Sequence, residues 1–155
     1  MKLKVQYSKF IHRRPGAVFN FIHTMPKYQI KNIAAGLLKP HEEICPIHSR
    51  NLLAQIKKDR CLKNPIIVDK DTMVILDGHH RYNSLKLLGC NFIPCCLVDY
   101  QSADIGVSCW REGEKISKKE VLAAGLSGKL LPQKTSRHII PDRPIGMDIA
   151  LSELK

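Results

Sequence analysis

An α/β fold built from short strands follows from three features of the 155-residue sequence. The apolar runs IIVD, MVIL and NFIPCCLVDY are of strand length and are bounded by turn residues, among them Asn64-Pro65, Lys70-Asp71 and Asp77-Gly78. Segments with apolar residues at helical spacing lie between them. The chain has the length of one domain, enough to bury roughly two-thirds of the surface its unfolded form exposes.

Taken in chain order, residues 1–27 are basic and weakly periodic, and Pro15-Gly16 and Met25-Pro26 break any long element. They read as a basic extension, which leaves 28–155 as a single compact domain. YQIKNI is a β candidate running into LLKPHEE, where Pro40 stops a regular ladder. His48 to Arg60 carries Leu52, Leu53 and Ile56 at helical spacing, and Lys57, Lys58 and Arg60 suit the negative end of a helix dipole. IIVD and MVIL are strands joined by a turn at Lys70-Asp71. A helix follows Gly78, with Tyr82, Leu85 and Leu88 on one face and Gly89 as its C′ residue. NFIPCCLVDY is a strand entered through Pro94, and GVSCW is a further strand candidate. In SKKEVLAAGLSG, Ser117 and Glu120 have the spacing of a capping box, which starts a short helix. The tail is loop-like and proline-rich before a last strand at Met147–Leu151.

An apolar fraction of 44% and a charged fraction of 25% are those of an ordinary soluble chain. No apolar run approaches the roughly 20 residues that span a bilayer. The N-terminal stretch lacks the hydrophobic core and small-residue cleavage site of a secretory signal, so a cytoplasmic location is expected. A net charge of +11 favours polyanionic partners, whether nucleic acid, anionic lipid or phosphorylated small molecules. The six cysteines contain no C-x-x-C and no zinc-type pairing with histidine, which argues against a structural zinc. Cys95 and Cys96 read as small buried hydrophobes.

The chemistry concentrates in LDGHHRYNSLKLLG, residues 76–89. A helix N-terminus offers unpaired backbone N–H groups and about half a positive charge, so it attracts anions. His79, His80 and Arg81 at that end oppose the dipole unless an anion sits among them. Arg81 adds a fork suited to phosphate oxygens, Gly78 allows close backbone approach, and Asp77 suits a divalent cation that bridges phosphates. A surface role for the histidines, with Asp77 as a plain N-cap, is the alternative. Two further stretches are polar without an apolar reason: KPHEE, residues 39–43, and LPQKTSRH, residues 131–138.

The succession KPHE, helix, two strands and DGHHR resembles the ParB/sulfiredoxin superfamily. With the later Trp110 and KTSRH, it resembles more closely the free L-serine kinase branch, over roughly residues 28–155. That resemblance implies a ParB/sulfiredoxin-like fold and transfer of phosphate from an adenine nucleotide to free L-serine with Mg²⁺, ATP being favoured over ADP as donor. It implies Glu42 as the base that takes the serine hydroxyl proton. It places Asp77, Gly78, His79, His80 and Arg81 at the phosphates, Asp77 also at the metal, and Trp110, Lys134, Ser136 and His138 around the amino acid. The chain is shorter than the long serine kinases, as if an insert between Trp110 and KTSRH were missing, and Ser136 stands where Thr is familiar.

Two other activities share the scaffold. Sulfiredoxin chemistry needs a cysteine before His-Arg in the phosphate motif, where this chain has His79. A ParB-like nucleotide- or DNA-binding module is the alternative from another class, and the basic charge suits it. No helix-turn-helix pair follows the DGHHR motif, and the expectation is an enzyme without a membrane partner.

Overall fold

The computed structural model describes residues 27–155, so the basic stretch expected as an extension lies, apart from Lys27, outside the described residues. Ile66, Ile67 and Val68 are wholly buried although successive side chains of a strand point to opposite faces. Both faces of this strand must therefore be covered, as in a layered α/β arrangement. The strand is β3 (Ile66–Asp69), at the heart of a four-stranded sheet with β1 (Gln29–Ala34), β4 (Ile75–Asp77) and β5 (Phe92–Val98). The order is β1-β5-β3-β4. β3 and β5 run parallel, with Ile66 opposite Cys95, while both outer pairings are antiparallel.

One face packs on α1 (Pro46–Asp59) and α2 (His79–Leu87): Ile66, Val68, Ile75, Ile93 and Cys95 meet Ile56, Tyr82 and Leu85. The other face, with Ile67, Leu76, Cys96 and Val98, meets Tyr100, Ile105 and Val121 of α3 (Lys118–Ser127). Two small ribbons complete the structure. β2 (Cys61–Lys63) pairs with β8 (Asp148–Ala150), and β6 (Gly106–Ser108) pairs with β7 (Arg137–Ile139). The first α-helix begins two residues before the expected His48, with Pro46 at its N-terminus, where a missing N–H costs nothing. β2 was not expected, and Arg137–Ile139, expected as loop, forms a strand. All six cysteines are free thiols. Burial pushes Cys95 up to about 12 and Cys96 up to about 11, so both stay un-ionised and act as small apolar residues, as expected.

Local chemistry fixes the connections around β3. Asp69, 3% exposed, accepts from the backbone N–H and hydroxyl of Thr72 through Oδ2, closing the β3–β4 turn, and from the N–H of Tyr100 through Oδ1. Ser117 and Glu120 form the expected capping box at α3. No helix among the described residues is long and apolar enough to cross a membrane.

The contact between α3 and the sheet is tightest at Gly125, where an added Cβ would come within 2.7 Å of both methyl groups of Val74. Alanine gains up to about 1 kcal/mol of helix propensity over glycine, but overpacking beside a stiff, wholly buried valine costs about 1–3 kcal/mol. Gly125→Ala is therefore expected to lower the urea midpoint. A stabilised Gly125→Ala protein would show that α3 can move off the sheet.

Candidate active site

Three segments distant in sequence converge on a cleft of about 550 Å³: the loop at 41–45, the β4–α2 junction and the loop before β7. Glu42, Asp77, Gly78, His79, His80, Arg81, Trp110, Lys134 and Ser136, all expected at the site, line it, together with Glu43, His48 and neighbouring apolar residues.

At the junction, Gly78 has φ of +100° and occupies the N-cap position of α2, with no side chain capping the helix. Packing from below already demands glycine here. A Cβ there would lie 2.7 Å from Ile66 Cγ2, and the positive φ disfavours any other residue. Asp77 is thus not the cap. Its Oδ2 accepts from Arg81 (3.2 Å) and from Arg143, a residue that sequence reasoning missed. Burial alone would raise the Asp77 carboxyl, but the two guanidinium groups overcome it and hold the group below the usual range. Arg81 also donates through Nη1 to the carbonyls of Asn64 and Pro65. Much of its fork therefore serves the fold, and its charge rather than a free bidentate face is what it offers the cleft.

The two histidines are not cations. His79 Nε2 accepts from the backbone N–H of His41 (3.3 Å), and His80 Nε2 accepts from that of Cys45 (3.0 Å). An imidazolium has no free lone pair, so both rings are neutral with the proton on Nδ1. Burial, first among the causes, pushes His79 well below and His80 below the ordinary value. The expected clash with the helix dipole is therefore absent. The rings tie the KPHEE loop onto the start of α2.

That loop carries Glu42 across to the third segment. Glu42 Oε1 accepts from the N–H of Lys134 (2.7 Å), and Oε2 accepts from both the N–H (2.9 Å) and the hydroxyl (2.8 Å) of Ser136. Lys134 adopts a left-handed backbone, φ 60°, that turns its N–H toward the carboxylate. The lone loop carboxylate of the sequence is thus held by three donors on an otherwise distant segment. Beneath it lies His41, wholly buried, with Nδ1 on the carbonyl of Ile75 and Nε2 2.7 Å from Ser136 Oγ. Trp110, 58% exposed, stacks on Arg137 at 4.7 Å along the rim.

His138 departs from its expected place beside a substrate. It is not among the residues lining the cleft; its Nε2 bonds the Tyr100 hydroxyl (2.8 Å), and its ring stands edge-on to His41. Burial and the neighbouring His41 push it down to about 3. Among the described residues, no three His, Cys, Asp or Glu side chains gather into a metal site.

No family model matches the chain. It is 40% identical over 86 residues to a ParB-like protein of Sulfolobus acidocaldarius, a match covering 56% of this chain and 43% of that one. It is 31% identical over 106 residues to an ATP-dependent L-serine kinase of Staphylothermus marinus, covering 66% and 40% respectively. The chain spans less than half the length of these curated relatives. Among solved structures, a free serine kinase in complex with AMP superimposes with a TM-score of 0.73 at 19% identity, covering 83% of this chain and 93% of that one. SbnI with C-terminal truncation from Staphylococcus aureus gives 0.74 at 17% identity, covering 88% and 92%. The fold is that of the free serine kinases, as the sequence resemblance implied.

The buried neutral histidines set an acid limit. The His138 pKa lies below its unfolded value of roughly 6.5, so between that pH and about 3 the unfolded chain binds more protons. Stability is complete above the upper limit and falls as the pH drops, by up to about 1.4 kcal/mol per pH unit for each such ring. His79 adds in the same direction. Urea midpoints should fall between about pH 7 and pH 5; unchanged midpoints would mean that these rings are charged in the fold.

Proposed function

We propose that the chain, with 28–155 as its single kinase domain, transfers a phosphoryl group from an adenine nucleotide to the hydroxyl of free L-serine. The observation that carries this reading is the placement of Glu42, a carboxylate fixed by three donors at a cleft that also contains the uncapped N-terminus of α2. Relatives named ATP- and ADP-dependent L-serine kinases support it. Phosphoryl transfer asks little covalent chemistry of a protein. It needs charge neutralisation, in-line placement and a base at the attacking hydroxyl.

In this reading the nucleotide phosphates lie against the α2 N-terminus, receiving backbone N–H groups and the Nδ1–H groups of His79 and His80. Neutral donors aimed by their Nε2 bonds need no rearrangement when the anion arrives. Arg81 and Arg143 supply net charge behind Asp77. Serine lies between the phosphates and Glu42, its hydroxyl giving its proton to the carboxylate as the oxygen attacks phosphorus. Trp110 and the Lys134 side chain close the outer wall, with Lys134 offered to the amino acid's carboxylate. The Ser136 hydroxyl is turned to Glu42 and His41, so its part is to hold the base.

Mg²⁺ fits this site as an ion carried largely by the phosphates, since among the described residues no three His, Cys, Asp or Glu side chains gather to hold one. Asp77 would hold it through Oδ1, Oδ2 being occupied by the two arginines. When bound, it would neutralise negative charge on the phosphates. The donor is assigned as ATP in preference to ADP, and the working compartment as the cytoplasm. The second reading, a ParB-like nucleotide-binding module, is favoured by the 40% identity to the relative of that name.

Phosphorus NMR on protein with Mg²⁺, serine and either ATP or ADP separates the two. A serine-dependent phosphomonoester is expected; nucleotide binding without it would leave the module. Glu42→Gln should cut turnover by about 10²–10⁴-fold with nucleotide affinity nearly unchanged. Undiminished turnover would remove Glu42 as the base. Arg143→Ala should weaken nucleotide binding by roughly tenfold, the scale of one charge-assisted contact, measured by calorimetry on a variant with unaltered circular dichroism.

A further inference from the structure

Hydrogens can be counted along the line Glu42–Ser136–His41–Ile75. His41 Nδ1 faces the Ile75 carbonyl oxygen, an acceptor only, so Nδ1 carries a proton. In a neutral His41, Nε2 is then a bare lone pair, 2.7 Å from Ser136 Oγ. Ser136 Oγ also stands 2.8 Å from Glu42 Oε2. Two contacts at hydrogen-bond distance need two hydrogens, and the serine hydroxyl has one. If it points at Glu42, two lone pairs face each other at His41; if it points at His41, they face each other at a carboxylate. Unmatched acceptors facing each other at such distances are unfavourable, the more so when one is charged.

We propose that Glu42 and His41 hold one further proton between them through the Ser136 hydroxyl, and that His41 is the positioning residue that sets the charge on Glu42. Two arrangements satisfy the line. In one, Glu42 is a carboxylic acid donating to Ser136, which donates to a neutral His41. In the other, His41 is an imidazolium donating to Ser136, which donates to an ionised Glu42. They interconvert by a short shift. The Glu42 Oε2–H bond breaks as Ser136 Oγ takes that proton, and Ser136 releases its own hydrogen to His41 Nε2. No proton enters or leaves, and the shift turns an acid at the cleft into a base.

The surroundings press on both ends. Backbone N–H groups of Lys134 and Ser136 donate to the Glu42 carboxylate. Burial lowers His41, against which the Ile75 carbonyl and the charge of Glu42 act. The other titratable groups facing the His41 ring are His79, at 4.6 Å between centroids, and His138, at 5.7 Å; both are neutral, and Tyr100 lies behind His138. Glu42 is thus the charged partner that His41 meets, at 3.9 Å.

This inference rests on the proposed base role of Glu42 for its catalytic meaning but not for its physical test. Protein labelled with ¹⁵N in histidine rings and ¹³C in glutamate carboxyls would be titrated by NMR from about pH 6 to pH 9. The expected result at neutral pH is one proton on the pair, seen either as a doubly protonated His41 or as a protonated Glu42. Both signals should move together at a common apparent pKa. Ser136→Ala should abolish the joint titration, and Ser136→Thr should restore it. A neutral His41 beside an ionised Glu42 at neutral pH, in folded wild-type protein, overturns the proposal; so does a joint titration that survives Ser136→Ala. A shared proton in a protein that transfers no phosphate to serine leaves the pair standing and removes the kinase reading instead.

Discussion

The carboxylate of Glu42 is the point through which the two halves of the cleft are joined. Its oxygens gather the N–H groups of residues 134 and 136, and among the described residues no other side chain draws that segment to the cleft with as many bonds. Backbone bridges reinforce it, from the N–H of Glu43 to the Leu131 carbonyl and from the N–H of Leu131 to the His41 carbonyl. A group fixed this way pays its ordering cost on folding rather than on ligand binding. That is the physical content of preorganisation.

On the opposite wall, the same loop is secured by acceptors rather than charges. His79 and His80 each receive a backbone N–H from it, so the N-terminus of α2 and the carboxylate share one rigid frame. Neutral rings at a helix N-terminus avoid the electrostatic penalty of cations there while still presenting Nδ1–H donors. Positive charge is kept one step back, on Arg81 and Arg143 around Asp77, where a carboxylate and carbonyls compensate it.

Local signals were legible and distant ones were not. The capping box of α3, the Gly89 terminus of α2 and the buried run of β3 are written in adjacent residues, and the fold follows them. The three-residue strands β2 and β7 owe their existence to partners far along the chain, β8 in one case and β6 in the other, and no periodicity can mark so short a segment. DGHHR was legible as a site motif, and its residues line the cleft. The neutrality of its histidines was not, because that depends on where the N–H groups of His41 and Cys45 point. Arg143 carries no local signature at all; a loop residue 66 positions from its carboxylate gives periodicity nothing to read. The inward turn of His138 is likewise set by Tyr100, in the segment following β5.

Because Glu42 is bonded to residues more than 90 positions later, the cleft cannot assemble while those residues are still missing from a growing chain. The Leu154 carbonyl receives the N–H groups of Asn91 and Phe92 at the start of β5, and the wholly buried Leu154 side chain fills the same core as α1 and α2. Synthesis must therefore near residue 154 before β5 is sealed and the carboxylate meets its donors. Such long-range closure is slow relative to helix formation. A ribosome-held nascent chain would have its helical segments early and its cleft late, the Glu42 carboxylate staying without its donors until residues 134–136 emerge.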